Sequence, residues 1–512
     1  MEKTGKGYYK NITCKQKRKN TFIPASHQTF VTNYFIKSKH KGLLLYHKLG
    51  SGKSCTSIMV ADEMLKQQKV SKVYVLTPGS LRSNWISEYC RVCGNIDEKL
   101  SKFIFITYNY NIITELTKYD FNDSLVIIDE VHNLLNGYKN KSKNTTSLYE
   151  KIMNSDCRVL ILSGTPIIQA NIALEWENLS TLLDGGRSIG IKNIKDIPDV
   201  NLEGIVSYYP GDPTQYPAVI MKPIQKVNMT DEQYKAYKEI YNWEKRIRQM
   251  GAPKREVFFK NPILYQEQQQ QFIKATKYLL SRMTSNCFYG TDFIKDLKEG
   301  EDFEKDKFLK DTLNTKGGWI SKESLMNNQL EKMSPKIYKL IMNIIDHIDE
   351  KHVVYSFYKS RAGVELIQTL INFCGNKHGI HAEIFSGDVS SKQREKILDK
   401  FNSIENRGGK LIKVLLITEA GSEGISVLEC NNIHIVESST RENRTNQAIG
   451  RVIRYKSHSL LPKEKQFVNV WRYWSIYKDE NLVDEELYLY GLKQQKIVDD
   501  FTQKLIDHSI EK

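Results

Sequence analysis

The sequence predicts an α/β protein of two lobes, each built on a mainly parallel sheet, with a helical insertion between them and helices at the C-terminal end. Three observations predict it. Short apolar runs rich in β-branched or aromatic residues recur between longer polar, helical-looking stretches. The series occurs twice, and the region separating the two series is charged and poor in such runs.

The first series is Leu43–Tyr46, Val73–Leu76, Phe103–Thr107, Leu125–Ile128 and Val159–Leu162. The second is Val353–Phe357, Glu383–Phe385, Val414–Thr418, Ile433–Val436 and Phe467–Val470. Each has the length of a strand, with turn-forming or polar residues nearby, as expected of buried parallel strands joined by helices. Between the series, Tyr265–Phe272 holds five Gln and one Glu, and helix is the expected state there. Asp484–Ile510, rich in Leu, Lys, Glu and Gln, reads as one or two closing helices. The expected division is a basic N-terminal extension at 1–21, a first lobe at 22–224, a mostly helical insertion at 225–332, a second lobe at 333–478 and a C-terminal helical segment at 479–512.

At 512 residues the chain exceeds an ordinary single domain. With 40% hydrophobic residues, 28 Tyr and 19 Phe, it has the apolar material for real cores, which excludes global disorder. The net charge of +15 suggests a polyanionic partner, nucleic acid first among them. No stretch approaches the roughly 20 apolar residues of a membrane span. Met1–Asn20 is Lys-rich with no apolar run behind it, unlike a secretory signal. Of eight scattered cysteines only Cys90 and Cys93 form a CxxC, and no second pair stands at zinc-site spacing. Free structural thiols in a reducing compartment are the expectation.

The chemistry begins at Gly42–Ser54, GLLLYHKLGSGKS. An apolar strand enters a Gly-rich turn that ends in Lys-Ser, and Cys55–Gln67 then looks helical. Gly50 and Gly52, flanking Ser51, let the backbone curl until its N–H groups converge on phosphate oxygens. Lys53 is placed to reach the β- and γ-phosphates, Ser54 to set its hydroxyl on Mg²⁺, and the helix to aim its positive end at the anion. Where the usual pattern begins with Gly, six residues before the Lys, this chain has His47.

Leu125–His132 reads LVIIDEVH, which puts two carboxylates at the end of an apolar strand. Ligands of open α/β sheets bind at that edge. Asp129 is suited to hold Mg²⁺ and Glu130 to take a proton from attacking water, with His132 sensing the γ-phosphate. In the second lobe, Thr445–Arg454 reads TNQAIGRVIR. Gln447, Arg451 and Arg454 recur at spacings of four and three, so a helix would show them on one face. Guanidinium groups suit the spread charge of a phosphoryl-transfer transition state, and both arginines are candidate fingers. Thr418–Gly424, TEAGSEG, follows a strand and brings Gly424 forward as a phosphate-approaching glycine.

In chain order GSGKS, DEVH, Ser163-Gly164-Thr165-Pro166, TEAGSEG and QAIGRVIR resemble the motifs of superfamily 2 helicases, with the spacing of a Snf2-like member. Val73–Trp85 (VYVLTPGSLRSNW) and Ile106-Thr107-Tyr108 are similar to the backbone-gripping motifs of that group, and Gln28 to its adenine-reading glutamine. Ile205–Val219, Phe401–Ile412 and Gly450–Pro462 narrow the likeness to helicase-like ATPases of large DNA viruses that replicate in the cytoplasm. Poxvirus nucleoside triphosphate phosphohydrolase I and the early transcription factor small subunit are the familiar types. The resemblance spans residues 22 to 475 and implies RecA-like lobes that close on ATP and Mg²⁺. It further implies coupling through Ser163 and Thr165, and a DNA-dependent ATPase of viral transcription, without robust strand separation, that meets viral RNA polymerase or its factors. Host cytoplasm and packaging in the virion go with it. Arg82, Thr107, Ser356 and Thr418 are the candidate nucleic-acid contacts. An ATP-dependent RNA helicase is the alternative; a non-hydrolysing binding subunit is disfavoured because Glu130, Arg451 and Arg454 are all present, and a restriction-enzyme motor because little chain remains for a nuclease.

Overall fold

The computed structural model describes residues 22–48, 50–79, 82–93, 100–108, 119–167, 172–184, 202–253, 257, 261–288, 329–375, 378–419 and 425–512. Met1–Gln215 with Gln494–Lys512 forms one compact unit, and Tyr216–Lys493 forms the other.

The first unit is built on β1 (Gly42–His47), β2 (Lys72–Thr77), β3 (Phe103–Thr107), β4 (Ser124–Asp129), β5 (Cys157–Ser163) and β6 (Val206–Tyr209). They lie in the order β3-β2-β4-β5-β1-β6, and every pairing is parallel. Strands covered on both faces need apolar side chains in both directions, so Leu43, Leu44 and Leu45 in β1 and Leu125 to Ile128 in β4 are all fully buried. The first helices of the unit are α1 (Ser26–Lys37), α2 (Lys53–Lys66) and α3 (Arg82–Glu88). They are followed by α4 (His132–Lys139), α5 (Lys143–Met153) and α6 (Ile172–Asp184). One face of the sheet packs with Val31, Phe35, Ile58, Met64 and Trp85, and the other with Leu134, Leu148, Trp176 and Leu179. Parallel order sends all six strand ends to one edge, where the turns after β1, β2, β4 and β5 gather.

The second unit orders β10 (Ala382–Phe385), β11 (Val414–Ile417), β9 (His352–Tyr355), β12 (Asn432–Ile435) and β13 (Phe467–Tyr477) in parallel. β14 (Glu480–Asn481) returns antiparallel, while β7 (Ala218–Met221) and β8 (Gln225–Asn228) line the flank of the long β13. The expected lobe boundary fell after 224, whereas β7 pairs within this second sheet. β8 occupies residues where a helical insertion was expected. Helices α7 (Asp231–Met250), α8 (Pro262–Thr276) and α9 (Leu279–Asn286) follow it, then α10 (Gln329–Met333) and α11 (Pro335–Asp346). The rest are α12 (Val364–Gly375), α13 (Ser391–Asn402), α14 (Glu442–Val452) and the opening part of α15 (Val483–Asp507), whose residues from Gln494 onward belong to the first unit.

A buried ion pair lies within this unit beside its apolar cores. Lys336 and Asp484, 1% and 0% exposed, pair at 2.7 Å, and the same carboxylate oxygen accepts from Ser285 Oγ at 2.8 Å and Ser475 N–H at 2.9 Å. No helix among the described residues is long and apolar enough to cross a membrane.

Candidate functional site

At the carboxyl edge of the first sheet, β1 runs into the Gly-rich turn. Gly52 sits at φ +85° ahead of α2, a backbone state open to glycine. A Cβ there would meet the Gln28 amide nitrogen at 2.6 Å. Gln28 lies on α1, buried, and donates through Nε2 to the Gly52 carbonyl oxygen at 3.2 Å, while its Oε1 accepts from Ala25 N–H at 2.9 Å. Next to it the His27 ring stacks on Tyr209 at 3.7 Å and donates through Nε2 to the Ser51 carbonyl oxygen at 3.1 Å. Burial lowers the His27 pKa below its ordinary value, which favours the neutral ring. Two side chains of α1 thus pin the turn that carries Ser51 and Gly52.

Lys53 opens α2, and its ammonium donates to the His47 carbonyl oxygen at 2.8 Å and that of Lys48 at 3.3 Å. Ser54 is the next residue of the helix, and backbone N–H groups at a helix N-terminus point outward along its axis. The turn therefore offers converging donors, a cation and a hydroxyl, the set that a nucleotide triphosphate with Mg²⁺ requires.

Asp129 ends β4. Removal from solvent, reinforced by the neighbouring Glu130 charge, pushes its carboxyl up to about 7, while Lys53 pulls in the other direction. Lys53, Asp129 and Glu130 are thus electrostatically coupled in one place, and a carboxylate so poorly compensated fits a divalent cation. Mg²⁺ takes one or two side chains with phosphate oxygens and water, so no all-protein cage is needed. Thr77 Oγ1, at the end of β2, approaches Asp129 at 3.4 Å, and the Tyr108 hydroxyl donates to the Asp129 carbonyl oxygen at 2.9 Å. Glu130 adopts φ +52°, an uncommon state for a residue with a side chain, held by its N–H on the Leu162 carbonyl oxygen at 3.1 Å. His132 Nδ1 lies 3.5 Å from Glu130 Oε2. Ser163 closes β5 opposite Tyr46, and its Oγ accepts the Thr165 N–H at 3.0 Å.

Of the first-unit contacts expected for nucleic acid, Arg82 opens α3 and Thr107 ends β3. In the second unit Ser356 is fully buried, with its hydroxyl donating to Glu437 at 2.7 Å, and Thr418 is buried after β11. Glu437 also accepts from Phe357 N–H and Asn286 Nδ2, so the turn after β9 is fixed from below. Gly424 lies outside the described residues.

The helix over Gln447–Arg454 is shorter than expected. α14 ends at Val452, Ile453 leaves helical geometry at ψ 88°, and Arg454 lies in the following turn. The three side chains therefore do not share a helical face. Arg451 is buried in the last turn of α14, and Arg454 hydrogen-bonds the Ser426 hydroxyl through Nη1. Ser457 Oγ accepts the Arg454 N–H at 3.3 Å, which draws the chain out of the helix.

The cysteines also depart from expectation. Cys55, in the first turn of α2, is bonded to Cys93 as a disulfide, with Cα atoms 5.6 Å apart. The turn of the CxxC segment lies against α2, a proximity set by the fold and absent from the spacing of the two residues. Cys157, Cys287, Cys374 and Cys430 form no disulfide.

Sequence reasoning passed over His27, and took Thr77, Tyr108 and Tyr209 only as parts of longer motifs, without a place at this site. Thr77 carried a signal, since it ends an apolar strand at the same sheet edge as Asp129.

Residues 21–168 match the family described as the res subunit of type III restriction enzymes, and residues 336–456 match the helicase conserved C-terminal domain. A protein of Acanthamoeba polyphaga mimivirus, provisionally named an ATP-dependent RNA helicase, is 27% identical over 90% of this chain and 84% of its own length. Nucleoside triphosphatase I of Choristoneura fumiferana entomopoxvirus is 27% identical over 91% of this chain and 75% of its own. The termination factor NPH-I homolog of African swine fever virus is 23% identical over 92% and 76%. Among solved structures, the Hef helicase domain of Pyrococcus furiosus aligns with a TM-score of 0.49 and 19% identity, over 91% of this chain and 98% of that one.

Proposed function

We propose that this chain, an ATPase of the superfamily 2 helicase type similar to those of large DNA viruses, is a DNA-dependent translocase that works in viral transcription. The observation that carries the reading is the likeness, over about nine-tenths of the chain, to proteins named as nucleoside triphosphatase I and as termination factor homologs. The net charge of +15 supports a nucleic-acid track.

The roles follow from the residues. The backbone from Gly50 to Ser54 cradles the phosphates, and Lys53 leaves the carbonyls of His47 and Lys48 for the β- and γ-phosphate oxygens. Ser54 and Asp129 would hold Mg²⁺, whose charge would offset that of the phosphates. Glu130 takes the proton of the attacking water, and His132 beside it reports the state of the γ-phosphate with Ser163 and Thr165. Gln28, Gly424 and Gln447 belong to the nucleotide set, and Arg451 and Arg454 stabilise the charge that develops on the transferred phosphoryl group. Arg82, Thr107, Ser356 and Thr418 are assigned to the nucleic-acid backbone, a sequence-blind and salt-sensitive contact.

The test is ATP turnover with duplex DNA, single-stranded DNA and RNA, with Glu130→Gln as the inactive control. Stimulation by DNA is expected. Stimulation by RNA alone would overturn the reading in favour of an ATP-dependent RNA helicase, which the name of the mimivirus relative favours. The same reading places the protein in the cytoplasmic viral factory and the virion, beside viral RNA polymerase or its factors. Co-purification with polymerase from infected cells and from virions checks that placement.

A further inference from the structure

His47 stands where the phosphate turn of this family type usually begins with glycine, and the structure shows what the ring does there. It is fully buried at the end of β1, with its Nε2 2.8 Å from Ser207 Oγ on the neighbouring β6. Ser207, also fully buried, donates its hydroxyl proton to Glu511 Oε1 at 2.5 Å. A hydroxyl that donates to a carboxylate is left to accept, so His47 is the donor, neutral and protonated at Nε2. Burial and the Lys53 charge both favour that neutral ring.

Glu511 is itself held in place. Its second oxygen accepts the Tyr208 N–H at 2.8 Å, and the preceding Ile510 N–H donates to the Val206 carbonyl oxygen at 2.9 Å. The segment after α15 thus adds itself to β6, the edge strand of the first sheet, and reaches the turn through one carboxylate. The other end of the chain of contacts is the His47 carbonyl oxygen, on which the Lys53 ammonium rests.

We propose that Glu511, acting through Ser207 and the His47 ring, is a positioning residue of the nucleotide site that sets where the phosphate turn holds Lys53. It touches neither nucleotide nor metal. Its contribution falls equally on bound substrate and transition state, so it governs nucleotide affinity rather than turnover at saturation. The proposal rests on the turn being the nucleotide site.

The test uses the full chain, a fluorescent N-methylanthraniloyl ATP with Mg²⁺, steady-state turnover, and thermal unfolding to monitor folding. Glu511→Ala is expected to weaken nucleotide binding about tenfold, the loss of a charge-assisted hydrogen bond, with kcat within about twofold. Glu511→Gln, which keeps one acceptor oxygen, recovers most of the affinity. Ser207→Ala reproduces Glu511→Ala, and the double substitution adds nothing further. With His47→Gly, which restores the ordinary glycine, Glu511→Ala has no effect on affinity. Unchanged affinity in Glu511→Ala overturns the proposal, as do additive effects of the Ser207 and Glu511 substitutions. Where Glu511→Ala fails to fold, Ser207→Ala and Glu511→Gln decide by the same criteria. Failure of the unaltered chain to bind the analogue overturns the ATP-site reading itself.

Discussion

The side-chain amide of Gln28 bridges the Gly52 carbonyl oxygen, at 3.2 Å, and the Ala25 N–H, at 2.9 Å. One residue therefore couples the start of α1 to the phosphate turn before any base is present. Gln28→Ala is expected to weaken ATP binding about tenfold and to lower Tm only slightly. Gly52→Ala should be far worse, because the added methyl meets that amide at 2.6 Å from a backbone at φ +85°. Binding isotherms for the two variants check the order. Unchanged affinity in Gln28→Ala would remove Gln28 from the turn.

Asp129, with its carboxyl raised to about 7, gives a pH signature. Below an ordinary carboxyl pKa of ~4 both folded and unfolded chains hold the proton. Between ~4 and 7 the folded chain alone holds it, so stability falls as pH rises and the full loss is reached once the carboxyl ionises. Asp129→Asn, without nucleotide, should therefore gain Tm over the unaltered chain as pH goes from 5 to 8. On the proposed metal role Mg²⁺ would displace that proton, so Mg·ATP affinity is expected to rise with pH through 7 in the unaltered chain alone. A Tm difference independent of pH would count against the coupling.

Glu130 and Arg454 are expected to separate binding from hydrolysis. Glu130→Gln should bind ATP normally and turn it over about 10²- to 10⁴-fold more slowly, the range of a lost general base. For Arg454→Ala, binding stays intact and hydrolysis falls strongly. Single-turnover rates measure both, and near-normal hydrolysis by either variant removes that residue from its role.

Lys336 and Asp484 make a stability prediction independent of the nucleotide. Neither side chain has water to fall back on, so Asp484→Ala strands a buried ammonium and also leaves Ser285 Oγ and the Ser475 N–H short of an acceptor. A loss of roughly 3–5 kcal/mol is expected, read by denaturant unfolding of the second unit. Replacing both partners, Lys336→Met with Asp484→Leu, should cost markedly less.

The strands buried on both faces were legible because nothing but apolar residues fits there. β3 was placed to the residue, and β1, β2, β4 and β5 within two residues at each end. β6, with its sequence VSYY, carried no such run, since two of its side chains are only half-buried, and β7 is exposed throughout. The phosphate turn and the DEVH carboxylates were readable as spacings. The Cys55–Cys93 bond, the Glu511–Ser207–His47 contacts and the exit of Arg454 from α14 were not. Each depends on residues far apart in sequence, or on a hydroxyl such as Ser457 that competes with helix for one N–H.

β7 leaves Val219, Ile220 and Met221 about half-exposed on a strand with a partner on one side. A naked apolar rim of this kind is an invitation to cross-chain strand addition in concentrated solution. Its flanks answer that hazard. Pro217 immediately precedes the strand and Pro223 follows one residue after Lys222, so an incoming strand would lose a backbone donor at either end and meet a cation beside one of them. The open stretch is about 13 Å long, too short to seed a fibre, and replacing either proline should make the protein prone to precipitate.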